Sequence, residues 1–125
     1  MINIIPEVHH AVKSLNTKNG NNYDATVSNP INNEAEYLEK CKYIIGEDAD
    51  LNAIFSETPL YSWSEVSTEL NLLTTAYNNK EYQRTRAENY PSIQEQLDMQ
   101  YWDNVNGTTT WKDAVAKVKS DTPKP

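Results

Sequence analysis

Apolar residues recur at helical spacing most plainly in the second half of the chain. Trp63, Val66, Leu70, Leu73 and Tyr77 fall on one stripe, in the three- and four-residue rhythm that sets side chains on a single helix face. Ser62 and Glu65 form a capping box, the hydroxyl taking one free backbone N–H and the carboxylate reaching back to another. A helix is therefore predicted from Trp63. No Pro or Gly interrupts before Pro91, so the element runs for about 27 residues, roughly 40 Å, against an average near 11–12 residues. Either Asn78-Asn79 bends it or it packs along a partner helix over its whole length.

Pro91 ends that helix, because the residue before a proline is driven out of the helical region. Ser92 and Glu95 supply a second capping box, and Ile93, Leu97, Tyr101 and Val105 follow at four-residue intervals, with Met99 and Trp102 widening the apolar face. Gly107 suits a helix C-cap. Thr110 with Asp113 opens a third helix over 111–119, whose Trp111, Val115 and Val118 face one way before Pro123 stops it.

The first half is less regular. Asn19-Gly20 is a strong hairpin signal, since both residues tolerate positive φ, and residues 10–15 and 23–27 are short enough to flank it as strands; the alternative is an extended arm ordered only on a partner. Over 34–45, Tyr37, Leu38, Cys41 and Ile44-Ile45 keep helical spacing behind the capping residues Asn32-Asn33, with Gly46 after the C-terminus. A shorter helix followed by a strand at 42–45 competes with that. Residues 46–52 form an acidic turn, and Ala53-Ile54-Phe55 is too short to classify.

Composition changes this picture in one respect. Only 38% of the 125 residues are hydrophobic and mean hydropathy is -0.78, near the range where a chain cannot bury enough apolar surface to offset its ordering entropy. Three Trp and eight Tyr move it back towards folding, and a small aromatic-rich helical protein often completes its core against a partner or a second copy. The clear helical signals lie late in the chain, so the first half is where a partner is expected to be needed.

The net charge is -7, with nine acidic and four basic residues over 1–60 and nine and seven over 61–125. Such a chain repels phosphate backbones, and Arg84 and Arg86 are its only arginines, so nucleic acid is not an expected partner. Pro6, Glu7 and two His stand where a signal peptide needs an apolar core, and no segment has the length to span a bilayer. The lone Cys41 fits a reducing compartment.

Candidate chemistry is sparse. Asp48, Asp50 and Asn52 match the first ligand positions of a calcium loop, but Ala53 and Pro59 stand where its glycine and bidentate glutamate belong. His9-His10 are adjacent and diverge in a strand, so one metal does not readily take both. Cys41 on an apolar stripe reads as a small core residue. Asn106-Gly107-Thr108 matches a glycosylation sequon, which without a secretory signal marks only a turn. No phosphate loop, nucleophile elbow or paired-His motif is present, and the expectation is a protein that is not an enzyme and takes no cofactor or metal. Around Tyr90-Pro91, Arg84, Arg86, Glu88, Glu95 and Asp98 form either surface ion pairs of little individual worth or the border of a partner-binding patch. That patch comprises Arg84, Arg86, Tyr90, Gln94, Gln96, Tyr101 and Trp102, residue types that dominate interface hot spots.

The run Arg84-Thr-Arg-Ala-Glu-Asn-Tyr-Pro-Ser-Ile-Gln-Glu-Gln-Leu-Asp-Met-Gln-Tyr-Trp102, then Gly107-Thr-Thr-Thr-Trp111, Val115-Ala-Lys-Val-Lys119 and the closing Pro-Lys-Pro, resembles the tail assembly chaperone-like domain family of tailed bacteriophages, found in proteins encoded near tail-fibre genes. The resemblance covers residues 63–125; the part upstream looks, more loosely, like what precedes this domain in marine cyanobacterial phages. Tyr90, Pro91, Ile93, Gln96, Leu97 and Asp98 carry over as family markers, with no catalytic residue among them. What the resemblance implies is an assembly factor for a tail-fibre or tail structural protein, working in the host cytoplasm, or alternatively a permanent virion component at the baseplate, fibre tip or adhesin. The expected fold is α+β and mostly α. A small mixed or hairpin-containing region over 1–60 precedes a helical domain over 61–125, built as a helical hairpin with a short third helix, in a monomer or small homo-oligomer.

Overall fold

Val8, Ala11, Val12 and Leu15 are the buried positions of a helix, α1 (Val8–Asn19), in the computed structural model, which describes residues 4–125. Their i, i+3, i+4, i+7 spacing gives one apolar face. The strand expected over 10–15 is thus corrected to helix. Gly20 serves as the helix C-cap at φ 67°, so the positive φ that suits Asn-Gly to a hairpin terminates a helix here instead. The other half of the expected hairpin holds: β1 (Asp24–Val27) is a strand. Asn16 fixes the connection, its side-chain amide donating to the Tyr23 carbonyl at 2.8 Å and its carbonyl accepting from the Tyr61 hydroxyl at 2.7 Å.

The shorter-helix alternative describes residues 34–47. Helix α2 (Glu34–Lys40) is capped by the Asn33 side chain, which accepts from the Glu36 N–H at 2.8 Å, and the chain passes directly into β2 (Cys41–Glu47). A single helix to residue 45 with Gly46 as its stop is therefore corrected. β2 is the centre of an antiparallel sheet ordered β1-β2-β3, with Val27 opposite Cys41 and Asp24 opposite Ile44. Ala53–Phe55 becomes β3, and the register shift between Ile44 and Gly46 makes Ile45 the bulged residue.

Helix α3 (Trp63–Asn79) starts at the Ser62–Glu65 box, with Ser62 N–H to Glu65 Oε2 at 2.8 Å and Glu65 N–H to Ser62 Oγ at 3.1 Å. The continuous 27-residue alternative gives way to a break immediately after Asn78-Asn79: Lys80 caps α4 (Glu81–Asn89). Then come α5 (Ile93–Asn106), behind its own Ser92–Glu95 box, and α6 (Thr110–Asp121), which starts one residue earlier and ends two later than the spacing predicts. The fold is α+β and mostly helical, a small mixed region followed by helices that include the C-terminal α5–α6 pair.

The chain divides into two units, 4–77 and 78–125. The first contains the whole buried core. Val8, Ala11, Val12 and Leu15 of α1 meet Ile31, Tyr37, Cys41, Tyr43, Tyr61 and Val66, with Leu70 and Leu73 packed against them. This core takes residues from both sides of position 60. The Tyr37 hydroxyl lies 2.7 Å from that of Tyr43 and donates to the Tyr61 carbonyl at 2.6 Å, so the polar ends of the buried rings are satisfied. The Cys41 thiol is buried and burial pushes its pKa up. The native protein is therefore expected to react with an aromatic disulfide reagent only after denaturant is added, one thiol appearing with unfolding.

At the edge of this core Glu69 is only 5% exposed. Its two oxygens accept from Lys18 Nζ at 2.7 Å and Ser14 Oγ at 2.6 Å, tying α3 to α1. Lys18, then Ser14, holds the carboxyl below the usual glutamate range. The unfolded chain thus takes up this proton more readily, and the stabilisation present above the normal glutamate pKa is lost as pH falls from there through the lower folded-state value. Because Lys18 is half exposed, Lys18→Met is expected to cost about 1 kcal/mol at neutral pH. Urea unfolding at neutral pH and near pH 3 should show that difference shrinking on acidification.

Candidate interaction face

Residues 78–125 contain no fully buried side chain; the most covered are half-buried. Alongside half-buried apolar residues such as Met99, Trp111, Val115 and Val118, polar contacts between helices hold this unit. Asp103, one turn before the end of α5, accepts through Oδ1 from the Thr108 hydroxyl at 2.6 Å and from both the hydroxyl and the N–H of Thr110, and through Oδ2 from the Trp111 N–H at 2.9 Å. Gly107 caps α5 at φ 68° in the left-handed region, which lets the chain double back onto this carboxylate. The hydroxyls of Thr108 and Thr110, with the backbone amides behind them, hold Asp103 well below the usual carboxylate range. Gln96, two turns earlier, accepts from Trp111 Nε1 at 3.1 Å and donates to the Pro91 carbonyl at 2.8 Å.

Asp103→Asn exchanges one acceptor oxygen for an amide donor that, in either orientation, faces a backbone N–H, of Thr110 or of Trp111. The expected result is a fall in Tm with loss of the near-ultraviolet dichroism of Trp111, while the Ser92–Glu95 start of α5 persists. Thermal scans and circular dichroism of the variant check it.

With Gln96, Met99 and Asp103 turned towards the half-buried side, the four-residue row of α5 faces out. Ile93 is 76% exposed, Leu97 59%, Tyr101 61%, Trp102 51% and Val105 55%. Tyr101 and Trp102 lie edge to face at 5.1 Å. Single exposed apolar residues are ordinary, but a contiguous row is the surface signature of an interaction site. From Ile93 to Val105 it runs about 18 Å along the helix.

The seven residues expected to bind a partner separate into two groups. Gln94, Tyr101 and Trp102 share the exposed side of α5. Arg86 is committed inside the unit: Nε donates to the Thr122 carbonyl at 2.8 Å and Nη2 to that of Lys119 at 3.3 Å, capping the end of α6, with the guanidinium 5.0 Å from the Tyr82 ring centroid. Gln96 is committed to Trp111 and Pro91. Arg84 and Tyr90 are half-buried on and just after α4. Ile93, Leu97 and Val105 were absent from the expected patch because their spacing reads as the packing face of a hairpin. The available clue was the seven-residue separation of Gln96 and Asp103, polar residues on a common helix face opposite Thr-Thr-Thr-Trp.

Elsewhere, the acidic turn uses its carboxylate locally. Asp48 Oδ1 accepts from the Asp50 and Asn52 N–H groups, both at 2.9 Å, which keeps its pKa below the usual value. His9 and His10 lie on α1, not a strand; His10 Nδ1 accepts from the Glu7 N–H at 3.0 Å, and His9 Nδ1 is 3.1 Å from the Asn29 amide nitrogen. An open cleft of about 400 Å³ beside α1, lined by Pro6, Glu7, Asn29, Pro30, Asn32 and Leu70, gathers no further convergent chemistry. No family profile, curated protein or solved structure matches the chain.

Proposed function

We propose that this protein is a bacteriophage tail or tail-fibre assembly factor, which holds a fibre or tail structural protein against the outer face of α5 while that protein folds or assembles in the host cytoplasm. The observation that carries the reading is the contiguous apolar row Ile93, Leu97, Tyr101, Trp102 and Val105, exposed on a unit with no buried core of its own. Burial of such a row is a standard route to helix-mediated recognition. The resemblance of the run from Arg84 to Trp102 to tail assembly chaperone-like domains supplies the phage context. The work is reversible burial of partner surface, so the role uses no cofactor and no chemical step.

Co-expression with a tail-fibre protein of the same phage tests the proposal. Soluble, trimeric fibre should increase with the wild-type protein and fall back with the Leu97→Ser/Tyr101→Ser variant. Equal yield with and without the protein sinks the assembly role. Mass spectrometry of purified particles should find it absent; stoichiometric recovery would make it a virion component instead.

A further inference from the structure

The charges beside the exposed row restrict what can cover it. Helix α5 carries Glu95, Asp98 and Asp103 and no Lys, Arg or His. Glu95 is engaged at the helix start, where it accepts from the Ser92 N–H at 3.2 Å, and Asp103 is engaged at the α5–α6 turn. Asp98 is exposed. At about 100° per residue it projects into the arc between Val105 and Trp102, within the apolar face and four residues ahead of the Trp102 ring.

A partner that buries Tyr101 and Trp102 must also cover Asp98. An ionised carboxylate taken out of water without a counter-charge is strongly unfavourable, whereas a cation brought to it gains from the same low dielectric. We infer that the partner segment is a cationic amphipathic helix, with apolar residues that interdigitate with Leu97, Tyr101 and Trp102 and a Lys or Arg that pairs with Asp98. This deepens the proposed function and rests on its assignment of the α5 face.

Geometry favours a helix. Ile93, Leu97, Tyr101 and Val105 form a row at four-residue intervals, and such a ridge seats in the groove of another helix. A second copy paired through α5 would cover the Asp98 carboxylate of each copy with no α5 cation to pair with either, which desolvation and like-charge repulsion oppose. An anionic lipid surface is repelled in the same way. The net charge of -7 adds a longer-range attraction for a basic segment.

The test uses the full chain and two synthetic helical peptides, each with leucine at every fourth position, one flanked by lysines and the other by glutamates. Titration calorimetry should detect the lysine peptide and not the glutamate peptide, with affinity falling as salt rises. Asp98→Asn should weaken the lysine peptide by about tenfold, and Asp98→Lys should reverse the preference. Equal binding of both peptides, no effect of Asp98→Lys, or no binding of either overturns the cationic-partner inference. A dimer seen by light scattering and abolished by Leu97→Ser/Tyr101→Ser overturns it in favour of a second copy. If the lysine peptide binds that double variant as well as wild type, the contact lies elsewhere and the reading of the α5 face fails with it.

Discussion

Replacing Tyr37 by phenylalanine is expected to lower the folding free energy by about 1–3 kcal/mol, and replacing it by alanine by about 3–5 kcal/mol. Tyr37 is fully buried, and its ring touches that of Trp63 at a centroid distance of 5.4 Å. The phenylalanine variant keeps the ring and removes one hydroxyl, but that hydroxyl serves two partners. The Tyr61 carbonyl loses a donor 2.6 Å away, and the Tyr43 hydroxyl loses its 2.7 Å neighbour. Alanine adds a cavity where α2, β2 and the segment before α3 meet. Urea unfolding at neutral pH separates the two contributions; a phenylalanine variant as stable as wild type would mean that the tyrosine hydroxyls stabilise nothing.

The same cluster sets an alkaline limit. Burial pushes the Tyr37 phenol up to about 12, offset in part by its bond to Tyr43, and pushes Tyr43 higher still, with Tyr37 adding to the rise. An unfolded tyrosine ionises near pH 10, so between roughly pH 10 and pH 12 the native state binds more protons than the unfolded one and stability falls as pH rises. A spectrophotometric titration should show these phenols ionising only as the protein unfolds.

Leu97→Ser combined with Tyr101→Ser is expected to leave folding stability within about 1 kcal/mol of wild type and to weaken partner binding by about 30-fold or more. Both side chains are more than half exposed, and the contacts that hold α5 to α6 run through Gln96 and Asp103 on another side of the helix. Serine at these positions removes only the smaller, covered part of each side chain and the Tyr101–Trp102 ring contact. In a complex, each truncation exposes a pocket on the partner, and an aromatic anchor alone commonly contributes about 2 kcal/mol or more. Calorimetric titration with the structural partner, beside a thermal scan of the free protein, gives both numbers. A large fall in Tm would mean that the face is packed within the folded chain, and the interaction reading would be lost.

Helix positions in the second half were legible because capping chemistry is local. Ser62 with Glu65, Ser92 with Glu95, Gly107 and Pro91 each act on backbone groups within a turn, so the starts of α3 and α5 and the end of α5 followed from the residues themselves. The first half was less legible for an equally physical reason. Asn19-Gly20 announces a positive φ but not which element uses it; the helical spacing of Val8, Ala11, Val12 and Leu15 was the competing signal, and their burial in one cluster with Tyr37, Tyr43 and Val66 decides for the helix.

By itself the sequence determined the α+β, mostly helical character, the caps, and an aromatic-rich chain that was short of apolar core. Tertiary structure decided where the shortage falls. The region expected to need a partner supplies most of the buried core, since β2 pairs with β1 and turns Tyr43 inward beside Tyr37, and Tyr61 and Val66 complete it. The better-signalled C-terminal helices are left with polar clasps and an uncovered apolar row. Periodicity states that a helix has an apolar face; it does not state what lies opposite, because that depends on which neighbours Asp103 and Gln96 draw to the other side.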